Sequence, residues 1–244
     1  MTEIINISKI SDSTGSLCNV SLELSDKKIH GIFGSERSGV LTLSRLVSGI
    51  SYADGGEITV RGQKMSAAPD VAKALVGYLP CGAPVYRNMT VEEYLLFVAE
   101  AKGISGKSAR TAAVAAALER CGIDCISEIL TKKLSQEARV RIGIAAATLG
   151  SPDVIVLEEP LFGLSSDEAA DILKLIGSLK RSLAVALFCQ SDCTAIDLCD
   201  RVTLICDGQV TYRTDIFNDV HRSSARDTVS SALGINTDVE VAKK

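Results

Sequence analysis

Two glycines five residues apart, Gly34 and Gly39, stand between a short apolar run and a stretch with helical spacing. This is the frame of a phosphate-binding P-loop, GxxxxGK[ST], whose glycines let backbone N–H groups point at phosphate oxygens. The lysine of that motif neutralises the phosphate, and its hydroxyl binds Mg²⁺. Here the lysine position is Val40 and the hydroxyl position is Leu41, although Thr42 supplies a hydroxyl one place later. The rest of the predicted loop consists of Ser35, Glu36, Arg37 and Ser38.

A pair of carboxylates, Glu158 and Glu159, follows the apolar residues 154–157. Strands of an open α/β sheet present ligand-binding groups at their carboxyl ends, where a P-loop also lies. In such a site the first carboxylate holds Mg²⁺, and the second orients or activates the attacking water. Taken alone, the segment is more typical of a strand that ends in a solvated acidic turn.

The elements around these residues follow a strand, loop and helix order. Residues 19–24 alternate as a strand does, residues 29–33 form a short apolar run into the Gly-rich turn, and residues 40–50 have helical spacing. Further strands are predicted at residues 56–61, 75–79, 153–157, 183–188 and 202–206. A helix at residues 167–179 separates two of these strands, and such a βαβ rhythm indicates a parallel sheet.

A helical lobe is predicted between the two groups of strands. Thr90 and Glu93 form a capping box ahead of an apolar segment, and residues 109–121 are rich in alanine. The chain becomes polar beyond about residue 211, where the pattern predicts no element.

Composition restricts the kinds of partner and compartment. The chain has 244 residues, a formal charge of −4 and no run of lysine or arginine, which argues against direct nucleic-acid binding. Its eight cysteines form no CxxC pair and have no histidine close to their CxxxC spacings, so free thiols in a reducing cytosol are expected rather than a metal site. No secretion signal is predicted at the start of the chain, and the uncharged stretches are shorter than the roughly 18 residues that span a bilayer.

The order and spacing of these motifs resemble the ATP-binding cassette of ABC transporters from about residue 20 to residue 210. Residues 29–34 look like the strand into the Walker A loop, residues 55–62 like the strand and turn after the first helix, and residues 76–80 like the entry to the Q-loop. Residues 134–135 look like the start of the signature, residues 159–164 like Walker B and the D-loop, and residues 198–208 like the segment after the H-loop. The resemblance implies an α/β, P-loop NTPase-like cassette with a mixed or parallel sheet core. It also implies a cassette over residues 1–215, with a helical subdomain at about 90–147 and a polar extension at 216–244.

The same resemblance assigns roles residue by residue. Nucleotide binding falls on residues 34–42, the Q-loop glutamine on Cys81, and the Mg²⁺-binding carboxylate on Glu158. The general base is retained as Glu159, while the H-loop histidine falls on Gln190. The signature falls on Leu134, Ser135, Gln136 and Glu137, of which the last two replace glycines. The D-loop aspartate falls on Ser165, and no aromatic residue stands near Ile10 or Ser11 to stack on adenine.

The resemblance implies ATP and Mg²⁺ as ligands, bound weakly or not at all because the lysine, hydroxyl and imidazole are missing. It implies an integral membrane permease and a second cassette, in a homodimer or a heterodimer, as partners on the cytoplasmic face of the membrane. The expected function is that of a degenerate transporter subunit. The alternatives are an active ATPase motor in which Arg37 or Arg45 replaces the lysine, and a soluble ABC-type factor acting on nucleic acid or ribosomes, which the acidic balance disfavours.

Overall fold

The computed structural model describes residues 1–11 and 13–235. An antiparallel sheet contains β1 (Thr2–Lys9), β2 (Leu17–Leu24), β4 (Gly55–Val60) and β5 (Gln63–Lys64) in the order β2-β1-β4-β5. Asn6 interrupts the register of β1 with both neighbours and has a φ of 50°. The sequence pattern did not predict β1, because this bulge breaks the alternation of apolar residues.

The core sheet has six strands in the order β10-β9-β3-β8-β7-β6. They are β3 (Ile29–Phe33), β6 (Val76–Leu79), β7 (Val154–Glu158), β8 (Ala184–Cys189), β9 (Arg201–Cys206) and β10 (Gln209–Asp215). All pairs are parallel except β9 with β10. Phe33 is paired with Cys189 and Glu158 with Phe188, so β3, β7 and β8 end at one edge of the sheet. That edge carries the Gly-rich turn and the two carboxylates.

The helices are α1 (Val40–Val47), α2 (Pro69–Ala74), α3 (Val91–Ala101), α4 (Lys107–Cys121), α5 (Gln136–Thr148), α6 (Ser166–Leu179) and α7 (Asp219–Leu233). Every residue of β7 and β8 is buried, because α5 and α6 cover one face of the core sheet, and α1 and the antiparallel sheet cover the other. The predicted capping box is confirmed, since Thr90 and Glu93 bond each other's backbone N–H at the start of α3. None of the helices in the described ranges is long and apolar enough to cross a membrane.

The helical lobe consists of α3, α4 and α5, which pack on one another around Leu95, Val114 and Val140. Part of the predicted polar extension also has structure, because α7 buries Ala225 and Val229 against the core. Residues 236–244 of that extension lie outside the described residues.

Candidate nucleotide site

The predicted P-loop connects β3 to α1 and is held tightly by its two glycines. Gly39 is the N-cap of α1 and has a φ of 98°, which glycine adopts without strain. A Cβ atom on Gly34 would overlap Ser38 Oγ and lie 2.7 Å from Val40 Cγ2. Both glycines are therefore required by the turn itself, whatever the turn binds.

The interior of the loop is apolar where a P-loop has its lysine. The side chain of Val40 is fully buried and lies against the backbone of Gly34. Leu41, at the position of the Mg²⁺-binding hydroxyl, is half-buried. Neither side chain offers a charge or a hydrogen bond to a phosphate.

Protein acceptors already take several N–H groups of the loop. Ser38 N–H donates to Ser35 O at 3.0 Å, Gly39 N–H to Thr14 O at 3.2 Å, and Val40 N–H to Ser38 Oγ at 3.4 Å. These are among the groups that a P-loop directs at phosphate oxygens.

Glu158 is buried within a set of protein donors. Its carboxylate accepts hydrogen bonds from the hydroxyls of Ser44 and Tyr78 and, at 3.5 Å, from Cys81 N–H. Burial raises the pKa of Tyr78, and the hydrogen bond to Glu158 raises it further, so the phenol stays protonated and donates. The carboxylate predicted to bind Mg²⁺ therefore has three partners within the chain.

Ser44 and Tyr78 were absent from the sequence prediction of the site. Ser44 lies one turn after Leu41 on the same helix, so it shares a face with the expected hydroxyl position. That spacing is the only signal in the sequence for Ser44. Tyr78 stands in β6, within the residues that resemble the entry to the Q-loop, but that resemblance assigns its side chain no role.

Glu159 follows β7 and is also buried, with a φ of 43°. It accepts hydrogen bonds from Gln190 N–H and, at 3.2 Å, from Ser191 Oγ. Burial raises the pKa of this carboxyl, and the hydrogen bonds oppose that rise only in part. The predicted general base is thus fixed to the chain segment after β8.

Gln190 links this carboxylate to the P-loop. Its backbone N–H contacts Glu159, and its side-chain Nε2 lies 3.4 Å from Ser35 O. Cys81 as a whole residue is exposed, but its thiol is partly buried; this partial burial, and then the charges of Glu159 and Glu158, raise the pKa of Cys81. The structure therefore brings together the P-loop, both carboxylates, the Q-loop position and the H-loop position.

The predicted signature lies elsewhere, at the N-terminus of α5 and just before it. Ser135 is the N-cap and accepts Ala138 N–H at 3.2 Å, while Leu134 precedes it and is half-buried. Glu137 pairs with Arg141 one turn later at 2.7 Å. Gln136 accepts a hydrogen bond from Arg139 at 2.8 Å.

The parallel sheet, the Gly-rich turn and the two carboxylates at the end of the neighbouring strand define a P-loop cassette of the α/β class. Comparison of the sequence with family models matches residues 17–162 to the family described as ABC transporter. The chain belongs to this family of ABC transporter ATP-binding cassettes.

Two curated relatives illustrate this membership. The lipopolysaccharide export ATP-binding protein LptB of Haemophilus influenzae is 30% identical over 84% of this chain and 86% of its own length. The arabinose import ATP-binding protein AraG of Rhizobium etli is 34% identical over 85% of this chain. The match spans only 42% of AraG.

Solved structures show the same fold. The chain matches CbiO1 of Clostridium perfringens, described as part of the CbiONQ transporter complex, with a TM-score of 0.79 at 18% identity over 96% of this chain and 95% of that one. It also matches a dimeric ABC cassette bound to ADP and phosphate, with a TM-score of 0.76 at 18% identity over 89% of this chain and all of that one. At this identity the likeness shows the fold alone.

Proposed function

We propose that the chain is a degenerate ATP-binding subunit of an ABC transporter, which docks on a membrane permease and pairs with another cassette. In this proposal its own site hydrolyses ATP poorly or not at all. The observation that supports it is that protein groups fill the interior of the P-loop and satisfy both carboxylates. Such a site gains little from a nucleotide or a metal ion.

The residues present do not fit Mg-ATP. Val40 removes a charge-assisted contact that contributes roughly 1.5 to 3 kcal/mol, which is about one to two powers of ten in affinity. Leu41 removes the expected metal ligand, and Glu158 is bonded to Ser44 instead. Phosphoryl transfer depends on positioning and charge stabilisation, so losing lysine, hydroxyl and imidazole together removes groups that act as a unit.

The helical lobe offers the surface for the permease. Tyr86 and Phe97 are 58% and 44% exposed, and their rings meet edge-on at 5.4 Å between centroids. Tyr94 packs against Tyr86 at 6.1 Å. Clustered exposed aromatic rings are typical of a protein interface. Docking here would hold the chain at the cytoplasmic face of the membrane.

A second cassette would supply the activity. In a self-paired dimer, both sites would combine a Walker side without lysine and a signature side without glycines. An intact partner would hydrolyse ATP at its own Walker site, opposite Ser135 and Glu137 of this chain. The pairing of Glu137 with Arg141 reduces the repulsion that its charge would exert on a γ-phosphate. Since LptB and AraG are named for export and import, the proposal includes neither a direction nor a cargo.

One observation favours an active motor as the second candidate. Glu159 keeps the position of the general base at the end of β7, and Gln190 extends its amide to the P-loop. In this candidate Arg37 or Arg45 would replace the lysine.

Calorimetric titration of the purified chain with Mg-ATP, together with a phosphate-release assay, distinguishes the two candidates. We expect no micromolar binding and no turnover. Micromolar binding with turnover that disappears in Glu159→Gln would support the active motor and contradict the degenerate subunit. Co-purification with the membrane permease tests the docking part of the proposal independently of nucleotide.

A further inference from the structure

Residues 14–16, which precede β2, contact the P-loop and the first turn of α1; we call this segment the plug. We propose, on the basis of the proposed function, that the plug occupies the place of a phosphate group and closes the nucleotide site with the chain's own backbone. The cassette then has two independent obstacles to ATP, the missing side chains and the plug.

The first contact of the plug is with the N-terminus of α1. Gly39 N–H donates to Thr14 O at 3.2 Å. N–H groups at a helix N-terminus carry partial positive charge and bind phosphate oxygens in P-loops. Here the acceptor is a peptide carbonyl oxygen, whose partial negative charge suits the same donor.

The second contact uses the remaining hydroxyl of the motif. Thr42 is buried, and its Oγ1 lies 2.7 Å from Gly15 O and 2.5 Å from Thr14 Oγ1. A hydroxyl has one proton to donate, so Thr42 donates to Gly15 and accepts from Thr14. The Thr42 hydroxyl, which the motif would use for a phosphate, therefore has all its hydrogen bonds within the chain.

The third contact is steric. Gly15 has a φ of 85°, and a Cβ atom at this position would overlap Arg37 O and lie 2.6 Å from Gly39 N. The backbone of the plug thus lies directly on the backbone of the loop, with no space between them for a phosphate. Only glycine allows this approach.

The turn between β9 and β10 holds the plug in place. Gly208 N–H donates to Ser38 O at 3.0 Å, and Cys18 N–H donates to Gly208 O at 2.9 Å. The Cα of Gly208 lies against Ser16 O so closely that a side chain would not fit. The plug is consequently fixed between the P-loop and a second turn.

A nucleotide would have to displace the plug and break three hydrogen bonds at Gly39 and Thr42. Restoring the missing side chains should therefore be insufficient for binding. Gly15→Ala places a methyl group against Arg37 O and should expel the plug. Ser13→Ala, on an exposed residue next to it, is the matched control.

The test compares Mg-ATP binding by calorimetry in the double variant Val40→Lys/Leu41→Ser, alone and combined with Gly15→Ala or with Ser13→Ala. We expect Gly15→Ala to strengthen binding by the restored protein about tenfold or more, as removing one competing set of contacts should. Ser13→Ala should leave it unchanged. If Val40→Lys/Leu41→Ser binds Mg-ATP with the same affinity with and without Gly15→Ala, the proposal that the plug closes the site is wrong. That result would leave the degenerate function intact, because the function fails only if the wild type itself binds and turns over ATP.

Amide hydrogen exchange of Gly39 gives a readout that requires neither nucleotide nor a folded variant. In the wild type the bond to Thr14 should protect this amide. If Gly15→Ala folds, its Gly39 amide should exchange about tenfold faster or more, while Ser13→Ala should match the wild type. Fast exchange of Gly39 in the folded wild type would refute the plug.

Discussion

The nucleotide face and the face of the helical lobe have opposite characters. At the nucleotide face, Glu158, Glu159 and Thr42 are buried and bonded to other parts of the chain. On the lobe and in the loop just before it, Phe97 and Tyr86 keep large apolar surfaces exposed. Satisfied polar groups need no ligand, whereas exposed apolar groups gain from a partner. Under the function proposed above, the chain would keep association with its partners and lose catalysis.

The most severe test of the closed nucleotide face is Glu158→Ala. It leaves the hydroxyls of Ser44 and Tyr78 and the N–H of Cys81 without their shared acceptor, so we expect unfolding to become easier by about 2 to 4 kcal/mol. Urea denaturation measures the change. Glu128→Ala, on an exposed residue, is the control and should have little effect. An unchanged midpoint for Glu158→Ala would show that this carboxylate is not held by the fold.

The core sheet also predicts a pH dependence through His30, which lies near the start of β3, at the end of the strand away from the P-loop. Burial lowers the pKa of His30 to about 4, and its Nε2 accepts Ser25 N–H at 2.9 Å. The neutral imidazole contributes stability above the ordinary histidine pKa of about 6.5, and this is lost as pH falls towards 4. We expect a loss of up to about 3 kcal/mol across that window.

Urea denaturation between pH 7 and pH 4 tests this dependence. His30→Gln should flatten the profile, because the amide does not titrate. His221→Gln, which alters the other histidine of the chain, should keep the wild-type slope. Equal slopes for wild type and His30→Gln would contradict the role of His30.

A substitution of an exposed aromatic residue on the lobe should weaken association with the permease and change the free energy of unfolding little. Phe97→Ser should destabilise the fold by about 1 kcal/mol or less, mainly through its ring contact with Tyr86. We expect recovery with the permease in pull-down experiments to fall about tenfold, as loss of an aromatic interface residue can cause. Phe217→Ser, which alters the 78% exposed ring ahead of α7, should bind like wild type. If both variants bind equally well, the docking surface lies elsewhere.

The smallest expected effect is that of Glu159→Gln. Burial raises the pKa of Glu159, so the fold favours its protonated form, and this contribution is lost as pH rises through the folded pKa. Glutamine stays neutral and can still accept Gln190 N–H. The variant should therefore be slightly more stable than wild type at pH 8, with the difference shrinking at pH 4. Lower stability at pH 8 would show that the ionised carboxylate is required.

The sequence predicted the local elements better than the site. Residues 29–50 were identified as strand, loop and helix because glycine spacing and apolar periodicity are local signals. The α7 helix gave no such signal, since few of its residues are buried. The partners of Glu158 and the plug could not be predicted, because they join residues such as Ser44 and Glu158 that are 114 positions apart. Motif positions identify which groups are missing, whereas only the fold shows what has replaced them.

The turn at Gly208 has a consequence for how the protein survives in the cell. Proteins that bind a ligand only when folded gain stability as its concentration rises, by about 2.7 kcal/mol at a hundred times Kd. The hydrogen bonds of Gly208 with Ser38 and Cys18 join parts of the same chain, so they form whatever the concentration of any ligand. If the site binds no nucleotide, as proposed, the resistance of the chain to unfolding and proteolysis should stay constant when starvation empties the ATP pool.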